Sequence, residues 1–500
     1  MEKNELAATV LHELGQQFVA AVRRAAPELV ERDLDGIEQG VQALGRRVLG
    51  RVVEQIVAVA GDQEGEAPPC PTCAAAMRLV DRVRVRQLQG LVGAYTVRRA
   101  YYACDACHQT AAPLDARLGL GPGALSPGLA RVACRVGIEE SFRGSADVLE
   151  EALGVTISKE AVRRVTERMG AVAEADLQAE IAVAQTGQPP LAAPDPQALA
   201  PVPVLVVEVD GAMVPLRDGY HEVKVGLAAP LGPARTTDPE TGRVRLEVGA
   251  PLCGAGLESA ELFWPRTYVL ACLVGLLCRG LRTVVVVGDG ADWIWRSARL
   301  LLAVGRVDVV EIVDMYHAWQ HLADVAEAVF GAGTLRARAW LERARVALRD
   351  EGAPVIQAAL RALLAPPELP TAETATATEE PAAVPVPLAP AAADVVRREL
   401  GYFTTHAARM DYPRFVARQF PIGSGAVESR CKSLIAARAK GPGMRWSREG
   451  VQAVASLRAL HHSARWQSFW QSHPLRRQPP PPRSAPAPPV PDARQTKRAA

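Results

Sequence analysis

Apolar residues recur at helical spacing through residues 1–60, as in "FVAAVRRAAPELV" and "VQALGRRVLGRVVEQIVAVAG". They predict a helical N-terminal region over 1–66, ended by the acidic, Pro-containing "GDQEGEAPP". The pattern then turns to alternation in "RVRVRQ" (82–87) and "YTVRRAYY" (95–102), with Gly90 and Gly93 between, predicting a hairpin within 67–118. Helical spacing returns over 119–185. The stretch "TGQPPLAAPDPQALAPVPV" has no period and reads as a linker over 186–203. Beyond it, "VLVVEVDG" (204–211), "HEVKVGLAA" (221–229) and "RVRLEV" (243–248) read as strands, followed by an apolar helix near 258–279 and the buried strand "TVVVVGDG" (283–290). Strand-like "VDVVEIVDMYH" leads into a helical stretch from about 318 to 364. The pattern predicts an α/β multidomain chain: a mixed domain whose first part spans 204–330, a helical insertion over 331–400 with low-complexity sequence at 365–393, and a second part of the domain over 401–472. The Pro-rich, basic tail over 473–500 is expected to be disordered.

Composition refines this picture in two places. A 500-residue chain with 49% hydrophobic and 22% charged residues can bury several cores. Its formal charge of +2 conceals a concentration of cations: between Arg409 and Arg465, eleven Lys/Arg face three acids, a local net of +8. That is the footprint of a phosphate-rich partner, although a solvated face is the commoner use of a charge run. The start, "MEKNELAATVLHELGQQF", lacks the basic and apolar regions of a signal peptide, and the longest apolar run, "YVLACLVGLLC" (268–278), is too short for a bilayer. A cytoplasmic protein with no membrane partner is expected, and in that compartment cysteines bind metal more often than they pair.

Cys70 and Cys73, with Cys104 and Cys107, form a CxxC…CxxC array around the predicted hairpin. Four thiolates at this spacing close a tetrahedral structural Zn²⁺ site, a zinc ribbon; the alternative is two unrelated redox or buried pairs. His108, next to Cys107, reads as a surface histidine. In "SADVLEEALGVTISKEAVRRVTERMG" (145–170), Ser158 is placed to cap a second helix that aligns Val162, Val165 and Met169 on one side and exposes Lys159, Arg163 and Arg164. This fits a DNA-reading helix-turn-helix or an ordinary helical hairpin.

Asp210 and Asp289 each end an apolar strand and precede Gly. Acids at the mouths of buried strands point to a shared polar site, while either alone could simply start a turn. In "PIGSGAVESRCKSLIAARAKGPGMRW" (421–446), Glu428 is the one acid among Arg430, Lys432, Arg438, Lys440 and Arg445. It fits a helix-start acid four residues before Lys432. With the two aspartates it also fits a third ligand for two Mg²⁺ ions, or Mn²⁺, in phosphodiester chemistry. Glu208, on the same strand face as Asp210, and Asp292, one helical turn past Asp289, compete for these roles.

Together "VDGAMVPLRDGYHEVKVG" (209–226), "GDGADWIW" (288–295), "IVDMYHAWQHL" (312–322), "YFTTHAARMDYPRF" (402–415) and "PIGSGAVESRCKSLIAARAKGPGMRWS" (421–447) resemble the ISKra-type bacterial insertion-sequence transposases, within the Mutator-like DDE recombinases. The resemblance spans most of the chain to about residue 470. It implies a ribonuclease H-like core with a helical insertion, Mg²⁺-dependent cleavage at element ends and 3′-OH strand transfer. Asp210, Asp289 and Glu428 match the family's three acids, and Asp314 and His317 match a D-x-x-H motif as supporting or DNA-contacting groups. The implied partners are double-stranded DNA, as terminal inverted repeats and target, and further copies of the chain assembled on DNA ends at the nucleoid. Two readings compete: a non-catalytic DNA-binding regulator, and a ribonuclease H-like nuclease that cuts without joining.

Overall fold

The structure, a computed structural model, describes residues 2–61, 67–195, 202–237, 244–302, 307–365 and 388–472. Most of the low-complexity segment 365–393, part of the linker 186–203 and the tail 473–500 lie outside these residues. The chain is mixed α/β with two sheets and divides into two compact units, Met1–Val172 with the chain from Gln467, and Ala173–Trp466.

In the first unit, helices α1 (Glu2–Ala25) and α2 (Leu34–Gly61) precede the antiparallel strands β1 (Arg78–Gly90) and β2 (Gly93–Ala103). Gly90 pairs with Gly93, and Gly93 turns the chain at φ +104, a conformation open to glycine. The short strand β3 (Thr110–Ala111) adds to β2. Leu88, Val97 and Leu114, the last on helix α3 (Pro113–Arg117), bury a small core. Helices α4 (Pro127–Gly137) and α5 (Phe142–Leu153) follow, with Ser126 and Ser141 capping their first turns. Gly154 ends α5 in the left-handed conformation, and Ser158 Oγ accepts from Ala161 N at 3.2 Å to start α6 (Lys159–Gln185). The expected stripe is present, with Val162 and Met169 fully buried. Helix α6 runs 27 residues, to the end of the helical pattern at 185, and the division between the units falls inside it.

The second unit is built on a sheet of order β6-β5-β4-β8-β9, with β7 also paired to β5. Its strands are β4 (Val204–Leu216), β5 (Gly219–Thr237), β6 (Val244–Val248), β7 (Leu252–Gly256), β8 (Thr283–Gly288) and β9 (Asp308–Val313). Strand β5 is antiparallel to β4, whereas β8 and β9 run parallel to it. All six residues of β8 are buried, as a central strand covered on both faces requires. Each of its four valines contributes roughly 1.5–3 kcal/mol by leaving water. Leu205, Val207 and Val209 cluster with Phe263 and Trp264 of helix α7 (Ala260–Leu273). Successive strand side chains point to opposite faces, so Glu208 lies on the other side of β4.

Helix α8 (Asp292–Leu302) follows β8, and α9 (Met315–Phe330) follows β9. Helices α10 (Leu335–Glu351), α11 (Ala353–Leu364) and α12 (Pro390–Thr405) come next; Leu348, Ile356, Leu360, Val396 and Phe403 join the sheet's own core. The chain then passes through α13 (Tyr412–Ala417) to α14 (Gly425–Arg430), a π-helical turn over Cys431–Ala436, α15 (Ala437–Ala439) and α16 (Arg448–His462). Among the described residues, no helix is long and apolar enough to cross a membrane.

Candidate functional site

Asp210, Asp289, Asp314, His317, Ser424 and Glu428 line one cleft of about 60 Å³ with Val209 and Gln320. Its position follows from the strand lengths. Strand β8 pairs with β4 only as far as Glu208, and Asp289 follows its last residue, so Asp210 and Asp289 sit side by side where the parallel pairing ends. Asp210 Oδ1 accepts from Gly211 N at 2.7 Å, and Asp289 Oδ1 accepts from Ala291 N at 2.9 Å. Gly290, at φ +105, lets the chain turn between them; a Cβ there would stand 3.1 Å from the Tyr402 hydroxyl, which donates to Asp289 O at 3.2 Å.

Glu428 is brought to the cleft by α14, whose first turn is held by two acids that precede it in sequence. Asp314 is 3% exposed; it accepts from Tyr316 N at 2.9 Å, starting α9, and from the Ser424 hydroxyl. Glu208 is 1% exposed, and its Oε2 accepts from Val427 N at 2.8 Å. It thereby satisfies an amide that a local capping side chain would otherwise take, because Ser424 is turned toward Asp314. Burial first, then the charges of Asp314 and Glu428, push the Glu208 carboxyl up to about 7 against the opposing pull of the Val427 amide. Of the competing acids, Glu208 is therefore sealed below the cleft, and Asp292 is exposed at the start of α8 and does not line it.

Four carboxylates and no Lys or Arg line the cleft, a set of hard oxygen donors whose mutual repulsion is relieved by divalent cations. The residues thus fit Mg²⁺ chemically, although they do not form a compact coordination set. Among the described residues, the one group of His, Cys, Asp or Glu with ligand atoms all within 4.8 Å of one another is Cys70, Cys73, Cys104 and Cys107. Behind the cleft, His317 touches His321 with ring centroids at 5.2 Å; His321 stacks on Tyr402 at 3.7 Å and meets Glu399 at 2.6 Å through Nδ1. Sequence reading singled out neither this network nor the capping role of Glu208. The adjacent "YHAWQHL" and "YFTTH" histidines and tyrosines were the available signal for the network.

The cysteine site has an internal symmetry. Ala74 N donates to Cys70 O and His108 N to Cys104 O, each at 2.9 Å, and Ala74 and His108 share positive φ values of 58° and 59°. Two equivalent turns therefore present their sulfurs to a common centre, with Sγ–Sγ separations of 3.4 Å for Cys70–Cys107, 3.5 Å for Cys73–Cys104 and 3.6 Å for Cys73–Cys107. Metal–sulfur bonds of about 2.3 Å require separations near 3.8 Å, so the cluster can hold a structural metal such as zinc. The Cys73 and Thr72 amides draw the Cys70 thiol down to about 6, whereas the neighbouring sulfurs push the Cys73 and Cys107 thiols up, because crowded sulfurs resist sharing negative charge. His108 is exposed and serves the turn.

The basic residues divide. Lys432 is exposed, 3.8 Å from Glu428 as the i,i+4 spacing anticipates, and Arg430 contacts His462 at 3.2 Å. Lys440 and Arg445 are exposed. Arg438, expected on the same basic surface, is instead 2% exposed, with its guanidinium 4.8 Å from the Trp446 ring centre. The apolar wall of Trp446 takes its flat cation out of solvent. In the first unit Lys159 and Arg164 are exposed, while Arg163 is paired with Glu160 and Glu167 at 2.9 and 2.7 Å.

Comparison with known proteins adds two findings. Residues 29–250, less than half the chain, match the family model of an uncharacterised protein family, UPF0236; the match includes the four cysteines and Asp210 and stops before Asp289 and Glu428. A search of curated proteins finds no match.

Proposed function

We propose that the chain is a DDE transposase of a bacterial insertion sequence, acting on terminal inverted repeats and target DNA. The observation that carries this reading is the meeting of Asp210, Asp289 and Glu428, from three separate segments, in one acid-lined cleft. The sheet supports a ribonuclease H-like core: β6 and β7 both pair with β5, which is antiparallel to β4, and β4, β8 and β9 run parallel to one another in that order. The insertion between β9 and α14 returns the chain to that sheet with the third acid.

Asp210, Asp289 and Glu428 would hold the cations. When bound, two Mg²⁺ ions activate the attacking oxygen and stabilise the leaving oxygen of an in-line phosphodiester displacement. The chain's own contribution is alignment. Asp314 and Glu208 fix the first turn of α14, so Glu428 faces the aspartates without searching rotations of its helix. Hydrolysis forms a bond from water to phosphorus and breaks the bond to the 3′ oxygen, which leaves as a 3′-OH. That hydroxyl then attacks a target phosphate by the same geometry, forming a new 3′ oxygen–phosphorus bond while the target's own bond from phosphorus to its 3′ oxygen breaks and leaves a target 3′-OH. Lys432, Lys440 and Arg445 provide cations for DNA phosphates, while zinc in the cysteine site and the 145–170 segment serve recognition of the terminal repeats, on copies assembled at paired DNA ends.

The test uses DNA bearing the inverted repeats that flank the gene, with Mg²⁺ or Mn²⁺. Wild-type protein is expected to cut at the repeat ends, and Asp210→Asn, Asp289→Asn and Glu428→Gln are expected to bind the same DNA without cutting it. Equal behaviour of the variants and wild type refutes the assignment of the acids, and salt-sensitive binding with no metal-dependent cutting by any of them favours a DNA-binding regulator.

A further inference from the structure

Strand β4 continues beyond the last residue it shares with β8, so from Val209 onward its edge on that side carries no β8 partner. The catalytic cleft uses the start of this edge. Farther along, a groove of about 540 Å³ opens between the β4–β5 hairpin and the Gly441–Gly443 loop, a size suited to one small-molecule-sized group. Met213 and Met444 contribute apolar surface, Tyr220 stands at the hairpin with 72% of its surface exposed, and Lys440 and Arg445 supply charge. No acid lines it. Its walls are tied together, because Trp446 N donates to Pro215 O at 3.2 Å and Arg217 N to Trp446 O at 3.0 Å. Among the described residues, Tyr220, Lys440 and Arg445 have no side-chain hydrogen bond or ion pair within the protein.

An exposed ring, polarizable methionines and two uncommitted cations match the parts of a nucleotide: a flat base with an anion on either side. We infer that this groove takes an unpaired nucleotide of the DNA strand whose phosphodiester lies at the cleft, with its base against Tyr220 and its flanking phosphates at Lys440 and Arg445. The spacing agrees. Met213 and Leu216 are three and six residues past Asp210, or about 10–20 Å at roughly 3.3 Å per residue. That span is about three to six nucleotide steps at the duplex rise of about 3.4 Å per strand. The inference rests on the proposed DNA substrate but does not require the acids to be catalytic.

The test uses full-length zinc-loaded protein without Mg²⁺ and a short oligothymidylate carrying one 2-aminopurine, whose fluorescence falls when its base stacks. Wild type is expected to bind and quench the probe. Tyr220→Ala should weaken binding about 5- to 100-fold and lose the quench, while Tyr220→Phe keeps both, since stacking uses the ring and not the hydroxyl. Lys440→Ala with Arg445→Ala should reduce the slope of log affinity against log salt by roughly 1.4, the share of two phosphates on a single strand. Asp289→Asn should leave the quench intact. A Tyr220→Ala protein indistinguishable from wild type in affinity and quench overturns the inference, even if wild type cuts DNA. Tyr220-dependent quenching in a protein that never cuts DNA upholds the groove and rejects the catalytic reading instead.

Discussion

Replacing Glu208 by Gln tests the packing beneath the cleft. Glu208 is 1% exposed and bonded to the Val427 amide, and its folded carboxyl loses its proton near 7 rather than near the ordinary 4.5. Below 4.5 the carboxyl is neutral in both states and costs the fold nothing. As pH rises from 4.5 toward 7 the unfolded chain releases the proton and the folded chain keeps it, so folding stability falls across that window. A displacement of about 2.5 pK units corresponds to about 3 kcal/mol once both states are ionised. Gln keeps an acceptor for Val427 and cannot ionise. The variant should therefore be the more stable protein at pH 8, with a gap over wild type about 2 to 3 kcal/mol wider than at pH 5. Urea unfolding without added Mg²⁺, followed by tryptophan fluorescence, reads the second unit, which holds every tryptophan except Trp470. A gap that does not widen between these two pH values would show that Glu208 is not desolvated as described.

Three further outcomes test other parts of the structure. Cys70→Ser should lower bound zinc from one ion per chain toward none, measured by metal analysis of purified protein. Arg266, 1% exposed, is gripped by Glu174 and Glu258 at 2.7–3.0 Å, so Arg266→Met should cost about 3–5 kcal/mol in urea unfolding by leaving two carboxylates without their cation, and adding Glu174→Gln and Glu258→Gln should restore most of the loss. Arg438→Ala should lower the melting temperature through lost packing on Trp446 while leaving the salt dependence of DNA binding unchanged; a changed salt slope would return Arg438 to the DNA surface.

The elements most legible in the sequence are those whose local pattern equals their environment. "TVVVVG" announces a central strand because β8 is buried on every side, and the two CxxC turns announce a shared four-sulfur cluster because their chemistry is local. By contrast, "LCGAG" has too little β-branched or aromatic character to signal β7, which exists because β5 offers it a partner. Likewise, nothing near Val427 reveals that its amide is capped by Glu208 on a distant strand, nor that Ser424, placed like a cap, turns to Asp314. The cations of 430–445 read as one basic face, yet the π-helical turn and the Trp446 wall bury Arg438 and leave Lys432, Lys440 and Arg445 outside. The meeting of Asp210, Asp289 and Glu428 is not written in any local pattern; it is anticipated by supposing that the strand ends and the basic helix share a site, or by the family resemblance that implies it.

Joining of DNA strands at this cleft, as proposed, is measured most simply from a substrate that has already been cut. Wild-type protein is given a terminal-repeat duplex already carrying a free 3′-OH, supercoiled plasmid and Mg²⁺. Wild type is expected to join the duplex covalently to the plasmid, and Asp210→Asn, Asp289→Asn and Glu428→Gln are expected not to. Joining that survives any of these three substitutions, or cutting of DNA by wild type with no joined product, would contradict the proposal.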